Sequence, residues 1–182
     1  MGRMIGNKVV LREFRQEDIS GIRAWATDPE VTRYLSARFM TPQTWEQSEN
    51  YLRSVLNGDA GGVNLVIAEK GSLKYLGQCN LILIDHQARK ATLAIVMPKE
   101  HQSHGYGHEA IELLLGFAFD EMNLNKVELH VIEDNLRAIA LYERCGFQPE
   151  GRLRQDVFQN GRYKDIICMS ILRDEWTRRG DL

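Results

Sequence analysis

Three apolar runs of strand length, residues 63–68, 75–84 and 91–97, follow one another with only the turn-prone pairs Lys70-Gly71 and Asp85-His86 between them, and then the period changes. From there Ile111, Leu114, Leu115, Ala118, Phe119 and Met122 recur at the spacing of one helical face. The first pattern folds as an antiparallel meander, because short turns cannot return a chain to a parallel neighbour. The second needs a helix that lays one apolar stripe on that sheet. A chain that does both is a mixed α/β protein on a largely antiparallel, twisted sheet flanked by helices.

The flanking segments extend this frame. Residues 8–14 read as a strand, and Asp18 stands where it would cap a helix turning Ile19, Ile22 and Trp25 inward. Thr41 as N-cap and Pro42 at the first helical position predict the next helix, with Trp45, Leu52, Val55 and Leu56 as its apolar set and Asn57-Gly58 as its stop. After the long helix, Val127, Leu129 and Val131 alternate with Glu128 and His130, a strand. Asn135 then caps a helix with Ala138, Leu141, Tyr142 and Cys145 on one face and Gly146 as its stop. Residues 152–158 and 163–172 flank Gln159-Asn160-Gly161, a strong hairpin signal. The predicted order is β-α-α-β-β-β-α-β-α-β-β. No repeat, low-complexity tract or long linker interrupts it, so residues 1–182 are expected to form a single domain.

Composition narrows the function. A formal net charge of -2 gives no basic field for nucleic acid. Cys79, Cys145 and Cys168 form neither a CxxC pair nor a zinc spacing, which fits reduced thiols in a cytoplasmic protein and no metal. Residues 1–7 lack an apolar signal core, and no apolar run approaches the ~20 residues that span a bilayer. A soluble, cytoplasmic protein with no membrane partner is expected, as a monomer or homodimer.

The chemistry concentrates between the third strand of the meander and the long helix, in Gln102-Ser103-His104-Gly105-Tyr106-Gly107-His108. A strand that enters a glycine-containing loop opening a helix can cradle phosphate. The first helical amides have no intrahelical acceptor, and the helix dipole makes that end positive. Gly105 and Gly107 let backbone donors approach an anion without a Cβ in the way, and His104 could add a cation. The competing reading is a tight turn that uses glycine for its geometry alone. The loop lacks the third glycine of a dinucleotide fingerprint and the Gly-Lys-Ser/Thr of a Walker A loop.

Gln102-x-x-Gly105-x-Gly107 resembles the acetyl-CoA loop of the GNAT superfamily of N-acetyltransferases. The resemblance runs along nearly the whole chain. Val10-Leu-Arg, Trp25, Asp28-Pro-Glu-Val and Arg33-Tyr-Leu are similar to the entry segment of the ribosomal-protein (RimJ/RimL-like) branch. Asn135-x-x-Ala138-x-x-Leu141-Tyr142-x-x-Cys145-Gly146-Phe147 resembles its second cofactor motif. Glu150-Gly-Arg-Leu-Arg, Asn160-Gly-x-Tyr-x-Asp165 and Asp174-Glu-Trp resemble its C-terminal hairpin. The last third is also similar to spermidine acetyltransferase.

The resemblance implies a GNAT fold and acetyl-CoA as co-substrate. Backbone groups of Ile95, Val96 and Met97 would pair with the pantetheine arm like an added strand. Gln102, Ser103, His104, Gly105, Tyr106, Gly107 and His108 would wrap the pyrophosphate, Asn135 would hydrogen-bond the pantetheine arm, and Ala138 would line the cofactor wall. Tyr142 would stand near the thioester sulfur, where a phenol can protonate or stabilise the departing thiolate. Periodicity alone favours a core tyrosine at 142.

Many relatives carry a glutamate early in the strand before the loop as the base for the amine; Thr92 stands there in this chain, which leaves His130, Glu100, His101 or ordered water. The acceptor implied is a protein N-terminal amine or a small amine metabolite. The alternative, a polyamine, calls for acidic residues between the first two helices, where Arg33 and Arg38 stand instead; these arginines would suit a substrate bearing a carboxylate. Glu46 and Glu49 are the nearby acids, on a helix where they read as a solvated face. A reading of another class is a non-catalytic acyl-CoA-binding sensor module.

Overall fold

The computed structural model describes residues 4–35, 39 and 41–180. The chain gathers into two compact units, one of Met1–Ile82 with Ala94–Leu114 and one of Leu83–Leu93 with Leu115–Leu182. Among the described residues no helix is long and apolar enough to cross a membrane.

In the first unit, strands β1 (Met4–Ile5), β2 (Val9–Arg12), β3 (Val63–Glu69) and β4 (Tyr75–Asp85) pair antiparallel in that order. Helices α1 (Ile19–Ala26), α2 (Pro29–Thr32) and α3 (Trp45–Leu56) cover them. Phe14, Ile22, Trp25, Val31 and Leu52 pack on Val66 and Ala68 in one apolar cluster. A buried polar chain runs beside it: the Trp25 indole donates to the Tyr75 hydroxyl at 3.0 Å, Tyr75 donates to Gln78 at 3.1 Å, and Gln78 donates to the Tyr51 hydroxyl at 2.7 Å. Each polar tip thereby enters the core already satisfied.

Two expectations at the helix starts are corrected. Asp18 precedes α1 but makes no side-chain cap. Its carboxylate takes the Arg12 guanidinium in two bonds of 2.8 Å and accepts the Arg15 N–H at 2.8 Å. Arg12 is 4% exposed, and a buried cation claims the available anion ahead of a helix amide. Helix α3 does not begin at Thr41 and Pro42 but at Trp45. Thr44 accepts the Gln47 N–H at 3.1 Å while the Gln47 side chain accepts the Thr44 N–H at 2.8 Å. That reciprocal capping box satisfies two end groups at once. With this start Ser48 and Leu52 face inward, and Trp45 (55% exposed) and Leu56 (42%) lie outside, with the Arg23 guanidinium 5.6 Å from the Trp45 ring.

In the second unit, the start of β5 (Lys90–Val96) pairs in parallel with β6 (Lys126–Ile132), over Lys90–Thr92 and Lys126–Glu128. Strand β8 (Arg162–Leu172) pairs antiparallel with β6 and with β7 (Gln148–Gln159). A parallel pair needs a long connection, and the chain between these two strands includes α4 (Tyr106–Gly116), whose residues up to Leu114 belong to the first unit. The helix continues into a π-helical turn at Phe117–Glu121, where the Met122 amide bonds the Phe117 carbonyl. Ile111, Leu114, Leu115, Ala118 and Phe119 are all fully buried, as their period predicts. The mixed α/β, largely antiparallel fold read from the sequence is the one observed. Asn160 and Gly161 both have positive φ, 51° and 76°, the backbone of a tight hairpin turn whose twist matches its strands.

Asp174-Glu-Trp, expected with the hairpin, instead lies in a last helix, α6 (Arg173–Gly180). Its sequence shows no apolar stripe; Trp176 anchors it, ring centroids 6.2 Å from Phe119. Strand β7 carries a bulge after Leu153, with Gln155 at φ 53° donating its N–H to Asp165 at 2.8 Å.

Glu109 fastens the start of α4 to β2. Its carboxylate accepts the N–H groups of Lys8 and Val9 at 2.8 Å each, and that of Asn7. Burial works to raise this carboxyl, but the three N–H donors outweigh it and hold it below the usual glutamate range.

Asp18→Ala is expected to cost about 3–5 kcal/mol of unfolding free energy, because the Arg12 guanidinium stays buried without its anion; urea denaturation reads this directly. A double Arg12→Met, Asp18→Leu variant should recover most of the loss. Glu109 contributes fully above its unfolded value of about 4.3, and that contribution disappears as pH falls through its lower folded value. Glu109→Gln should therefore lower the melting temperature at pH 7 and converge on the parent protein as the pH drops toward 3.

Candidate functional site

The segment Met97–His108 is built to hold a helix end open. The Gln102 side chain donates to the Met97 carbonyl at 2.8 Å and closes the turn that leaves β5. Ser103 follows at φ 66°, a left-handed backbone on a residue with a side chain, and Gly105 at φ 84°. Left-handed conformations at non-glycine residues are costly and concentrate where geometry matters. The Gly105 carbonyl accepts the first helical bond, from Glu109 at 3.2 Å. The amides of Tyr106, Gly107 and His108 precede that bond and have no intrahelical acceptor. Gly105 offers no side chain to cap them, and a Cβ built there would meet only Lys8 Nζ, at 3.3 Å. Gly107 sits in the first helical turn. The His104 and Tyr106 rings stack at 5.5 Å, and the Lys8 ammonium donates to the His104 carbonyl at 3.1 Å. The result is a cluster of donors on half-buried residues with an exposed glycine at its mouth, the chemistry that suits a diphosphate.

Ile95, Val96 and Met97 lead into this loop. The β5–β6 ladder ends at Thr92, before Ile95. Gly77 on β4 permits a close approach here: a Cβ on it would lie 2.7 Å from the Val96 carbonyl and from the Met97 side chain.

In the second unit, α5 (Leu136–Arg144) carries the other predicted residues. The Asn135 side-chain oxygen caps it by accepting the Ala138 N–H at 3.3 Å, which leaves the Asn135 amide nitrogen to donate elsewhere. The entry to α5 is pinned by charge. Arg152 bridges Glu133 at 3.0 Å and Asp165 at 2.8 Å, and Lys164, 5% exposed, pairs with Asp134 at 2.6 Å. Tyr142 is buried with its ring against Phe147, centroids 5.9 Å apart. Burial pushes its phenol pKa well up, so the hydroxyl keeps its proton, and it makes no hydrogen bond among the described residues. Ala138 is half-buried on the same helix.

Thr92 is half-buried on β5, and its cross-strand neighbour on β6 is Glu128. That carboxylate lies 3.5 Å from Lys90 and 3.8 Å from Lys126. Sequence reading passed over Glu128 because the pairing register, which alone brings it beside Thr92, is not written in either strand. His130 is exposed on β6, Glu100 is exposed, and His101 is half-buried in a 3-10 turn before the loop. Lys8 was missed for the same kind of reason: strand β2 brings it to Gly105 from far away in the chain. Arg33 lies over the Tyr34 ring at 4.7 Å, while Arg38 lies outside the described residues. Glu30 is ion-paired with Lys99.

Residues 8–148 match the acetyltransferase (GNAT) domain family. The chain is 36% identical over 115 residues to a spermidine N(1)-acetyltransferase of Vibrio cholerae, a stretch that spans 63% of this chain and 66% of that protein. It is 32% identical over 118 residues to YdaF of Bacillus subtilis, named a candidate ribosomal N-acetyltransferase, spanning 65% of this chain and 63% of that one. The solved structure of spermidine N-acetyltransferase from Vibrio cholerae in complex with CoA and spermine is similar with a TM-score of 0.81 and 29% identity, over 93% of this chain and 98% of the other. Sequence likeness to these two relatives thus covers just under two thirds of each, and likeness in fold covers nearly all of the Vibrio cholerae enzyme. With the family's domain matched through the glycine loop, α4 and α5, the chain belongs to the GNAT acetyltransferase family, acyltransferases that use acetyl-CoA as donor.

Proposed function

We propose that this chain acetylates a primary amine, on a protein N-terminus or a small metabolite, by direct attack of the amine on the thioester of acetyl-CoA. The observation that carries the reading is Tyr142: a buried phenol, held protonated and without a hydrogen-bond partner among the described residues, on the helix of the family's second cofactor motif. A thiolate leaving group needs a donor of that kind. In this reading the amides of residues 105–108 take the diphosphate, Ile95, Val96 and Met97 offer backbone groups to the pantetheine arm, and the free amide nitrogen of Asn135 donates to it. Gln102 acts by shaping the loop, since its side chain is already bonded to Met97. Thr92 cannot take the amine's proton at pH 7. A water beside the Glu128 carboxylate takes it.

The acceptor reading rests on charge. A polycation would be held by free carboxylates, yet Glu30 is occupied by Lys99, and Arg33 is exposed in the segment that follows. A substrate with its own carboxylate, such as a peptide or an amino acid, suits Arg33 better. The polyamine reading is favoured by the likeness to spermidine N(1)-acetyltransferase. Thiol release from acetyl-CoA, measured across N-terminal peptides, amino acids and spermidine, separates them: faster turnover of spermidine than of every carboxylate-bearing amine reverses the assignment. Binding of acetyl-CoA with no thiol release for any amine leaves a non-catalytic sensor module.

Tyr142→Phe should lower kcat by about 10- to 100-fold while coenzyme A affinity stays the same, the mark of a group that acts on the leaving atom. An unchanged kcat removes Tyr142 from the mechanism. Gly105→Val should weaken coenzyme A binding, because a β-branched residue at φ 84° is strained and intrudes on the mouth of the loop; calorimetric titration with coenzyme A is the measurement, and parent-like affinity would place the diphosphate elsewhere.

A further inference from the structure

One face of the second unit's sheet is polar. Along β6, Lys126, Glu128 and His130 alternate with the buried Val127, Leu129 and Val131, and β8 sets Ser170 opposite Glu128 and Cys168 opposite His130. Lys90 joins this face from β5. Glu150 reaches it through a bulge. The pairing of β7 with β8 matches Gln148 to Ser170 and Pro149 to Met169, then resumes with Gly151 against Cys168, so Glu150 is the extra residue in the ladder. A residue in that position has its side chain re-aimed. The Glu150 carboxylate accepts the Lys126 ammonium at 2.7 Å and the Ser170 hydroxyl at 2.8 Å, and the two bonds hold it below the usual glutamate range. Lys126 thus has two carboxylates within range and is committed to one: Glu128 lies 3.8 Å from it, beyond hydrogen-bond reach. The second cation, Lys90, stands 3.5 Å from Glu128. The other titratable groups toward this face are His130, Cys168, Asp156, whose charge acts on Cys168, and Glu175 of α6, which accepts the Gln148 amide at 3.0 Å.

We infer that Glu150 is a positioning residue for the proton transfer: by holding Lys126 it keeps that ammonium off Glu128 and leaves the Glu128 carboxylate open to a proton. The inference rests on the reading that a water beside Glu128 takes the proton of the attacking amine. That water accepts one proton from the amine and passes one to Glu128, so it ends unchanged, and Glu128 returns its proton to solvent after turnover. An ammonium in direct contact with a carboxylate favours its charged form and weakens it as a proton acceptor. Lys126 set loose from Glu150 would be such a contact.

The test follows kcat for thiol release from acetyl-CoA across pH, on the full chain, with whichever of the N-terminal peptides, amino acids or spermidine turns over fastest. Glu150→Gln keeps an acceptor for Ser170 but frees Lys126 for Glu128. The acid limb of its profile should move to lower pH by about 0.5–1 unit, and its plateau should fall by about two- to fivefold. Lys126→Met should move the limb the opposite way, to higher pH. Adding Glu150→Gln to Lys126→Met should then change little more, because Glu150 acts through Lys126. A thermal melt shows which variants are folded, and shifts of opposite sign are not what a loss of structure produces. If Glu150→Gln does not fold, Lys126→Met carries the test, and a limb that stays or moves to lower pH overturns the inference. An unmoved limb in folded Glu150→Gln, or an equal shift with and without Lys126, overturns it too, while a lowered kcat in Glu128→Gln keeps the reading of Glu128 standing. A parent-like profile in Glu128→Gln, an acid limb that vanishes in His130→Gln instead, or no thiol release with any amine overturns both.

Discussion

The start of α4 has to stay rigid while its amides stay unpaired, and the Glu109 carboxylate is what reconciles the two. Most helices cap their first N–H groups with the side chain that precedes them. Here Gly105 precedes, and the helix instead turns one of its own acids outward onto the amides of Asn7, Lys8 and Val9. Strand β2 thereby holds the helix end in position without consuming its donors. The Lys8 ammonium on the His104 carbonyl adds a second tie from the turn that enters β2. The left-handed backbone at Ser103 and Gly105 is tolerated because both ends of the loop are fastened, by Gln102 to Met97 on one side and by Glu109 on the other.

Helix α5 solves the opposite problem. In the proposed reaction it presents a phenol from inside an apolar layer. The ring of Tyr142 gains from burial against Phe147, and the same burial raises the pKa, which keeps the proton on the oxygen. The helix is held by charges outside that layer: Arg152, Glu133 and Asp165 at its entry, with Lys164 on Asp134. Polar groups fix the position of the helix and apolar groups keep the phenol protonated.

Much of this was legible in the sequence wherever one local pattern decides the outcome. The period of Ile111 to Phe119, the Asn135 cap, the Asn160-Gly161 turn and the alternation along β6 all appear as read. Reading failed where two local signals compete or where a distant partner intervenes. Pro42 promised a helix start, but the Thr44–Gln47 box satisfies two groups to proline's none, and the shifted start turned Trp45 outward. Asp18 lost its capping role to Arg12, a residue whose burial no local pattern reveals. Helix α6 was missed because one aromatic anchor makes no period. At the site, spacing showed a glycine loop opening a helix and left its purpose open, the cofactor motif came from the family resemblance, and Glu128 and Lys8 depend on strand register.

Strand β7 ends the hydrogen-bonded order β6-β8-β7, so among the described residues of the second unit one of its long sides has no neighbouring strand. Such a side is a template for cross-β growth if it is flat and apolar. The bulge at Gln155, tied down by Asp165, breaks its regular repeat, and Arg152, Arg154 and Asp156 put charge on either side of the break. A strand arriving from another molecule would find neither a continuous row of donors and acceptors nor a neutral surface. The bulge and the charges beside it thus oppose fibrillar stacking along this side of the hairpin.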